Sequence, residues 1–351
     1  MPANRLELFI PEPSERPGDQ PRLGNLHLSA PGELRRHDTL AAEAEMRDLP
    51  YGLIRVLDDD DHGLGPWTPA IASEVLLKGL RAMMMTRGVD DRLFRSHRQG
   101  KTSFYMRSTG EEAIGAAQSL ALVATDMCFP TYRMLAWLLA RDYPVVAFAN
   151  QVFSNRGDPL KGRQLPVLMS ARDYGFYSLS GNLGSRYGHA VGWAMASAYR
   201  HGDGIAIAHV GEGTTAEGNF HEALTFASTY RAPCILCVTN NQWAISTFSG
   251  MAAGNVETFA AKAIAYGIPG LRVDGNDFLA IWAATRWAAD LARANLGPTL
   301  ICLFTYRQTG HSTSDDPGRY RPAQEAEAWP LGDPVERLKR PLIAIGAWDE
   351  G

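Results

Sequence analysis

The residues best suited to chemistry lie in two short polar segments. Gly211, Glu212 and Gly213 follow one apolar run, and the amides Asn240 and Asn241 follow the next. Mg2+ prefers oxygen ligands and is usually held by one or two carboxylates together with the phosphates of a ligand. Glycines let the backbone approach phosphate oxygens closely. A carboxylate from Glu212 and an amide oxygen from Asn241 therefore predict a site for a divalent cation and a diphosphate.

The two polar segments meet only if the apolar runs before them form neighbouring strands. Residues 205–210 and 234–238 are short, nearly continuous apolar runs, which are typical of parallel strands buried on both faces. A helix-length segment separates them, and the right-handed crossover rule makes the two strands parallel. Ligands bind beyond the carboxyl ends of such strands. Glu212 and Asn241 are 29 residues apart (241 − 212 = 29), and we expect them to be close in space.

Two other interpretations compete for these residues. Residues 211–216 also satisfy the dinucleotide fingerprint G-x-G-x-x-A between a strand and a helix. That fingerprint expects an acidic residue near the end of the next strand, which here ends in Thr239-Asn240-Asn241, so a nicotinamide cofactor is disfavoured. Turn chemistry without a ligand would explain either segment alone, but it is the weaker explanation of both together.

A family resemblance follows from these segments and from three others. Residues 242–247 read Gln-Trp-Ala-Ile-Ser-Thr, residues 305–307 read Thr-Tyr-Arg, and residues 311–316 read His-Ser-Thr-Ser-Asp-Asp. Together they resemble the alpha subunits of thiamine diphosphate-dependent 2-oxo acid dehydrogenases. Glu212, where Asp is commoner, makes the chain most similar to the branched-chain members. The resemblance runs from about Pro50 to the C-terminus.

The resemblance implies a set of site residues. Glu212, Asn241 and the backbone carbonyl of Trp243 would bind Mg2+, and His311 would work near the reacting carbon. The implied contacts with thiamine diphosphate come from Tyr132, Arg133, Gly181, Leu183, Gly211, Glu212, Gly213, Asn241, Trp243, Ala244, Ile245 and His311. Tyr132 and Arg133 would face the diphosphate, and Gly181 and Leu183 the aminopyrimidine ring.

His311 is the candidate catalytic residue on physical grounds as well. A histidine whose pKa is near neutrality donates a proton or stabilises developing charge. His311 lies on a polar loop after a predicted strand, facing the same sheet edge as Glu212. In mitochondrial relatives the residues matching Ser312 and Ser314 lie in a phosphorylated loop. A loop ordered by its own Asp and Ser hydrogen bonds is the simpler interpretation here.

A potassium ion is the one family feature that this sequence argues against. Some relatives bind potassium through residues that match Ser180, Asn182 and Ser185. Their next residue is Gln, whereas this chain has Arg186, which would repel a cation.

The chain is organised into three segments. Residues 1–70 are rich in Pro and polar residues and predict either an arm that wraps a partner or another subunit, or a disordered tail. Residues 71–330 alternate strand-like and helix-like patterns, which predicts an α/β fold with a doubly wound, mostly parallel sheet and helices on both faces. Residues 331–351 form a C-terminal segment that ends where family members continue.

Several local patterns give more specific expectations. Residues from Ser73 onward have helical spacing, with Met83 and Met84 as adaptable core residues. Thr109 and Glu112 form a capping box that predicts a helix over residues 110–122. Strands are predicted at 127–129, 271–273 and 300–304, and an amphipathic helix through Leu291. Small residues four apart form a strip for close helix packing, internal or between subunits: Gly184, Gly188, Gly192 and Ala196.

Composition excludes some classes of protein. The 351 residues carry a net charge of −4, so no basic excess is present to neutralise nucleic-acid phosphates. No apolar run approaches a membrane span, and no transit peptide is evident, which predicts a cytoplasmic protein for a bacterial source. Cys234 and Cys237 have redox spacing, but within a buried strand they are interpreted as core residues.

The resemblance also implies partners and an activity. It implies an alpha2beta2 heterotetramer, in which the beta subunit supplies the carboxylate that helps to ionise the cofactor, so the chain alone should be inert. The assembly would decarboxylate branched-chain 2-oxo acids and pass the acyl group to the lipoyl arm of an acyltransferase core. The alternatives are a pyruvate or acetoin enzyme, differing in pocket residues around 104–106, a nicotinamide-dependent oxidoreductase, and a catalytically silent assembly subunit.

Overall fold

A five-stranded parallel sheet organises the chain, as seen in a computed structural model that describes residues 7–349, apart from the side chain of Asn25. Its strands have the order β1-β2-β3-β7-β6. A separate antiparallel pair, β4 and β5, follows β3 directly. The strands are β1 Met127–Phe129, β2 Ala206–Gly211, β3 Cys234–Asn240, β4 Trp243–Ala244, β5 Thr247–Phe248, β6 Gly270–Asp274 and β7 Thr299–Phe304.

Helices cover both faces of the sheet. The α-helices are α1 Ser73–Arg98, α2 Glu112–Ala121, α3 Leu135–Ala140, α4 Val145–Val152, α5 Ser185–Tyr199, α6 Gly218–Thr229, α7 Gly250–Ala253, α8 Phe278–Arg293 and α9 Pro334–Ala344. Short 3-10 helices occur at Leu23–Asn25, Glu43–Met46, Arg172–Tyr174, Glu212–Ala216, Ala260–Tyr266 and Pro317–Arg319. No helix within the described residues is both long and apolar enough to cross a membrane.

Alternate side chains of each strand enter two separate cores. Ile235 and Cys237 of β3 pack in the core formed with α1, α2, α3 and α8, whereas Cys234 and Leu236 pack in the core formed with α5 and α6. This alternation follows from the two-residue repeat of a strand. The predicted doubly wound fold is confirmed. Cys234 and Cys237 are buried, free and on opposite faces, so their role in the core is confirmed as well.

The β2-α6-β3 unit has the predicted parallel arrangement. Gly211 at the end of β2 pairs with Thr239 near the end of β3. Both strands are buried over nearly their whole length, which explains their continuous apolar composition. Because the register aligns their carboxyl ends, Glu212 and Asn241 leave the sheet at the same edge.

Part of the segment before α1 packs into the folded core of this chain, which an arm on a partner would not do. Residues 46–57 include Leu49, Leu53 and Ile54, all fully buried in this chain. Ile54 forms a parallel bridge to Val273 of β6, and Asp277 accepts hydrogen bonds from the backbone N–H groups of residues 56 and 57 at 2.8 and 2.7 Å. The boundary of the arm therefore lies before residue 70. Residues 46–57 pack against residues more than 200 positions away in the chain, a contact that the local sequence does not reveal.

The C-terminal segment also packs on the central unit. Arg337 of α9 forms an ion pair with Asp274 at 2.7 Å and donates to the carbonyl of Leu57 at 3.1 Å. Leu338 and Leu342 are buried in the core with α1 and α2. A boundary at residue 330 therefore does not separate two packing units within the described residues.

One helix prediction needs correction, and another agrees with the structure. α2 begins at Glu112, not at Gly110, and the side chain of Thr109 does not cap it. Gly110 instead has a φ of +99°, and Glu112 accepts the N–H of Gly110 at 2.8 Å rather than that of Thr109, so the predicted capping box does not form. Asp277 caps α8 through the N–H groups of residues 279 and 280, as the amphipathic pattern that follows it suggests.

The small-residue strip on α5 lies on the outside of the chain. Gly184 precedes the helix with a φ of +83°, and Gly188, Gly192 and Ala196 are exposed. A Cβ atom at Gly188 or Gly192 would meet no described atom within 4 Å, whereas Gly184 is buried against Thr214, Glu217 and Asn219, so only the later part of the strip is free of an internal contact. A contact with another subunit stays a prediction.

Candidate cofactor and metal site

A cavity of about 470 Å³ opens at the carboxyl edge of β2 and β3. Its volume falls within the roughly 300–1,000 Å³ usual for small-molecule sites. The structure brings eleven of the twelve predicted cofactor-binding residues into its lining, namely Tyr132, Gly181, Leu183, Gly211, Glu212, Gly213, Asn241, Trp243, Ala244, Ile245 and His311. Arg133 lies behind this lining. Residues from five separate regions of the sequence therefore converge on one space.

Glu212 is a buried carboxylate that is only partly satisfied. It begins the 3-10 helix after β2 and is 1% exposed. Its Oε1 has no hydrogen-bond partner among the described residues, although the backbone N–H of Asn241 lies close enough to donate to the carboxylate. Burial, together with the nearby carboxylate of Glu111, raises the pKa of Glu212 to about 7. An unpaired buried oxygen of this kind is costly unless a cation binds it.

Asn241 is oriented by a residue that the sequence interpretation missed. Its Nδ2 donates to Glu111 Oε1 at 2.7 Å, and its Oδ1 faces the backbone N–H of Trp243 at the long distance of 3.4 Å. Because the amide nitrogen is committed to Glu111, the amide oxygen remains available to a ligand. Glu111 is buried, and the available sequence signal was a pair of glutamates at the start of an otherwise apolar helix.

Replacing Glu111 by alanine should weaken Mg2+ binding without removing any metal ligand. Loss of an outer partner of a metal ligand typically costs about 10- to 100-fold in metal affinity, because the ligand is no longer held in one orientation. Titration calorimetry with Mg2+ on the cofactor-loaded assembly measures this change. Glu112→Ala is the matched control, since Glu112 is equally buried but bonds to Arg87 and Gly110. Equal metal affinity in Glu111→Ala and wild type would contradict the assignment.

The oxygen ligands available at the cavity fit Mg2+. Within the described residues no group of three or more His, Cys, Asp or Glu side chains could hold a metal ion. The candidate ligands are instead the carboxylate of Glu212, the amide oxygen of Asn241 and the carbonyl of Trp243, all of them hard oxygen donors. The Trp243 carbonyl accepts one hydrogen bond from Arg307 at 3.1 Å, which leaves its second lone pair. These three oxygens leave the coordination of Mg2+ incomplete, so a bound ligand must supply further oxygens.

Close backbone packing explains one of the glycines. A Cβ atom at Gly213 would lie 2.6 Å from the Cβ of Ala244. The turn after β2 and the short strand β4 therefore approach each other too closely for any side chain at position 213. This contact sets the relative position of Glu212 and the segment that follows Asn241.

His311 is a neutral imidazole, contrary to the expectation of a near-neutral pKa. Burial, together with the positive charges of Arg133 and Arg307, lowers its pKa to about 3. Its Nδ1 lies 3.4 Å from Arg133 Nη2 and 3.3 Å from Arg307 Nη1, so Nδ1 is the acceptor and the proton resides on Nε2. His311 can therefore donate a hydrogen bond through Nε2, but it is not an imidazolium acid in this environment.

Arg133 and Tyr132 both contact His311. Arg133 donates to the carbonyl of His311 at 2.7 Å and to the carbonyl of Arg107, and it pairs with Glu111 at 3.4 Å. Tyr132 lines the cavity and packs edge-to-face on the His311 ring with centroids 5.7 Å apart. Arg133 thus places a positive charge directly behind the cavity wall.

Arg307 joins the two loops that form the cavity. Besides Trp243 and His311, its guanidinium donates to the carbonyl of Ile245 at 2.9 Å and to the hydroxyl of Tyr320 at 2.7 Å. Ile245 has a φ of +58°, a costly conformation for a β-branched residue, and Arg307 helps to hold it there. The sequence marked Arg307 only as part of a family motif.

The loop that begins at His311 is ordered by its own side chains. Asp315 accepts the backbone N–H of His311 at 2.6 Å and the hydroxyl of Tyr320 at 2.6 Å. Ser312 accepts the N–H of Ser314 at 3.2 Å. This is the arrangement expected from the simpler interpretation of the loop, and its modification stays untested.

Residues 104–106 do not line the cavity. Tyr105 and Met106 are buried, and the Tyr105 hydroxyl donates to the buried Asp90 at 2.7 Å. The backbone N–H of Tyr105 donates to the Thr313 hydroxyl at 3.1 Å, and the Tyr105 carbonyl accepts the N–H of Thr313 at 2.9 Å. These residues therefore support the His311 loop from behind, and the expectation that they shape the substrate pocket is wrong for this cavity.

The geometry also disfavours the nicotinamide interpretation. The glycine turn after β2 leads into a 3-10 helix at Glu212–Ala216, and α6 begins only at Gly218. In the dinucleotide fold the helix begins at the glycine turn and faces the pyrophosphate. Here Glu212 places a carboxylate where that anion would lie.

Comparison with known proteins supports the resemblance found in the sequence. Residues 80–351 match the family model described as dehydrogenase E1 component, a family that depends on thiamine diphosphate in general. Residues 4–43 match a model described as the 2-oxoisovalerate dehydrogenase E1 alpha subunit N terminal.

Three of the relatives are all named as alpha subunits of 2-oxoisovalerate dehydrogenase. The 2-oxoisovalerate dehydrogenase subunit alpha of Pseudomonas aeruginosa is 54% identical over 345 residues, which are 98% of this chain and 84% of the relative. The mitochondrial subunits alpha of Mus musculus and Homo sapiens are 38% and 37% identical, each over 85% of this chain and over 68% and 67% of their own length. The family resemblance is thereby confirmed, and the chain belongs to the dehydrogenase E1 component family, in the group of 2-oxoisovalerate dehydrogenase alpha subunits.

Proposed function

We propose that this chain is the alpha subunit of a thiamine diphosphate- and Mg2+-dependent dehydrogenase that oxidatively decarboxylates branched-chain 2-oxo acids. The observation that carries the proposal is the unpaired Oε1 of Glu212, buried beside the available amide oxygen of Asn241. The family membership and the names of its relatives support the same assignment.

The residues of this chain hold the cofactor rather than perform its chemistry. Thiamine diphosphate, when bound, supplies the nucleophilic carbon and the electron sink that decarboxylation of a 2-oxo acid requires. Glu212 and Asn241 bind the divalent cation that neutralises the diphosphate, and the carbonyl of Trp243 supports them. Leu183, half-exposed in the cavity wall, offers an apolar contact to the ring system.

His311 would act through hydrogen bonding. Because burial and two guanidinium groups keep it neutral and its Nδ1 is an acceptor, Nε2–H is the ring group left to act as a donor. A neutral donor stabilises negative charge that develops on a nearby oxygen. Unlike an imidazolium, it does not neutralise the charge of the anionic substrate. His311 would in this way assist transfer of the acyl group to the lipoyl carrier.

The proposal includes a beta subunit and a lipoyl-bearing acyltransferase core as partners. Three exposed apolar residues near the N-terminus, Leu8, Phe9 and Ile10, support an arm that packs on a partner, and the exposed small-residue strip on α5 supports a subunit contact. A cytoplasmic location belongs to the same proposal because the Pseudomonas aeruginosa relative is bacterial.

Reconstitution with the beta chain tests the proposed function. We expect titration calorimetry to show binding of thiamine diphosphate only with Mg2+ present, no comparable binding of NAD at the same site, and no turnover by the alpha chain alone. The reconstituted assembly should prefer 2-oxoisovalerate to pyruvate by kcat/KM. A clear preference for pyruvate would overturn the substrate assignment and leave the cofactor assignment intact, whereas tight binding of NAD in place of thiamine diphosphate would overturn both.

A further inference from the structure

The potassium ion that the family resemblance implies near residues 180–185 does not fit this chain. Arg186 Nη2 donates to the carbonyl of Ser180 at 2.7 Å, and Nη1 lies 3.4 Å from the carbonyl of His209. Backbone carbonyls of this kind are the groups that would replace the hydration shell of potassium. The guanidinium already uses the Ser180 oxygen, and a second positive charge beside it would be repelled.

Arg186 is deeply buried for a charged residue. It lies in the first turn of α5, is 4% exposed, and forms no ion pair with any described residue. Its Nε is buried without a hydrogen-bond partner. An arginine keeps its charge in a protein, so this side chain places a positive charge among backbone carbonyls, with the carboxylate of Glu217 near enough to attract it but not paired with it. A burial this unfavourable needs a compensating role.

The segment that Arg186 holds is otherwise weakly attached. Residues 180–183 lie at the surface, and Leu183 reaches the cavity from there. Among the described residues, hydrogen bonds from outside this segment come from Ser185, whose hydroxyl donates to the Asn182 carbonyl at 2.8 Å, and from Arg186.

Among the residues that the structure describes, the side chain of Arg186 provides the hydrogen bonds that link the segment to the sheet. Its second contact, His209, lies on β2, the strand that ends at Gly211 and delivers Glu212. Arg186 also contributes to the cavity lining next to Leu183. The guanidinium therefore ties the segment that presents Gly181 and Leu183 to the strand that presents the metal ligand.

We propose that Arg186 is a positioning residue that replaces a bound monovalent cation, so that cofactor binding by this protein is independent of potassium. The inference rests on the proposed function, because it concerns the binding of thiamine diphosphate. Arg186 supplies the positive charge permanently and from the chain itself. Its planar fork reaches two carbonyls at once, which a lysine ammonium on a flexible stem does less well.

The test measures cofactor affinity in two salts. Wild-type and Arg186→Gln alpha chains are reconstituted with the beta chain, and the Kd of thiamine diphosphate with Mg2+ is measured by calorimetry in potassium chloride and in tetramethylammonium chloride. The wild-type Kd should be the same in both salts. For Arg186→Gln we expect a Kd raised about tenfold or more in tetramethylammonium, since a charge-assisted bond to a carbonyl is lost. Potassium should restore most of the loss.

Two further variants separate positioning from general stability. Arg141→Gln is the matched control, because Arg141 also spans two carbonyls, those of Tyr174 and Val123 at 3.3 and 3.1 Å, but lies outside the cavity lining. The Kd of thiamine diphosphate for Arg141→Gln should be the same in potassium chloride and in tetramethylammonium chloride. Arg186→Lys keeps the charge and loses the fork, so its Kd should rise less than that of Arg186→Gln and should not respond to potassium. It also keeps the test valid if Arg186→Gln fails to fold.

The outcomes are distinguishable. A wild-type Kd that falls strongly with potassium would overturn this inference alone, as would an Arg186→Gln Kd equal to that of the wild type in tetramethylammonium or a potassium response in Arg186→Lys as large as in Arg186→Gln. Absence of thiamine diphosphate binding by the wild-type assembly in either salt would overturn the proposed function and the inference together.

Discussion

Replacing Glu212 by glutamine should reduce Mg2+-dependent binding of thiamine diphosphate by at least about 100-fold and should also stabilise the cofactor-free assembly. The first effect follows because the variant removes the charged ligand of the cation and leaves neutral amide and carbonyl oxygens. The second follows because Oε1 of Glu212 is buried without a partner. Calorimetry measures the first effect and thermal unfolding without cofactor measures the second. Loss of both affinity and stability would indicate a structural carboxylate instead.

The stabilisation should depend on pH in a defined direction. The folded-state pKa of Glu212 is raised from 4.5 to about 7, so the folded protein retains a proton that the unfolded chain releases above 4.5. The contribution of this group to stability is therefore full below pH 4.5 and is lost as the pH rises to about 7. A shift of this size corresponds to a difference on the order of 3 kcal/mol. The stability gain of Glu212→Gln over wild type should grow across this window and then level off.

Metal binding should depend on the protonation state of Glu212 in the same pH range. The cation binds the deprotonated carboxylate, so Mg2+ affinity of the wild type should rise with pH up to about 7 and change little above it. Glu212→Gln should show no such rise. An unchanged slope in the variant would assign the titration to a neighbouring group, such as Glu111.

Replacing Arg307 by methionine should cause the largest loss of structural stability at the site. Arg307 is 1% exposed and donates to three backbone carbonyls, those of Trp243, Ile245 and Thr309. A buried acceptor left without its donor costs about 1–3 kcal/mol, so we expect a loss of at least about 3 kcal/mol in the free energy of unfolding. Denaturant titration of the reconstituted assembly measures this loss.

The same substitution should also weaken cofactor binding and restore the basicity of His311. With one of its two neighbouring guanidinium groups gone, the pKa of His311 should rise from about 3 towards the ordinary range. Arg319→Met is the control, since Arg319 lies close by in sequence but is exposed and pairs only with Asp316. An Arg307→Met assembly that binds thiamine diphosphate as tightly as wild type would show that the two cavity loops are positioned independently of Arg307.

Local sequence patterns were sufficient to predict the strands and helices whose apolar residues form continuous runs or recur at regular spacing. The apolar runs that became β2, β3 and β7 are strands, and the amphipathic pattern after Asp277 is α8. These predictions succeed because a strand buried on both faces needs continuous apolar side chains and a surface helix needs a periodic stripe. The start of α2 and the packing of residues 46–57 were predicted less well, because long-range hydrogen bonds and burial override local preference there.

The sequence by itself determined the kind of site and the edge of the sheet where it lies. A glycine turn with Glu212 after one strand and Asn241 directly after the next strand specify a carboxylate and an amide at one place, because parallel neighbouring strands end together. Those features depend on residue type and on spacing along the chain, which a sequence records directly.

Only the tertiary structure decided the state of those groups. The bond that orients Asn241 comes from Glu111, 130 residues away, and the neutrality of His311 comes first from burial and then from the two arginines beside its Nδ1. The place of Arg186 depends on carbonyls of Ser180 and His209 that no local pattern pairs. Desolvation and orientation are properties of the whole packed environment, so they exist only once the chain has folded.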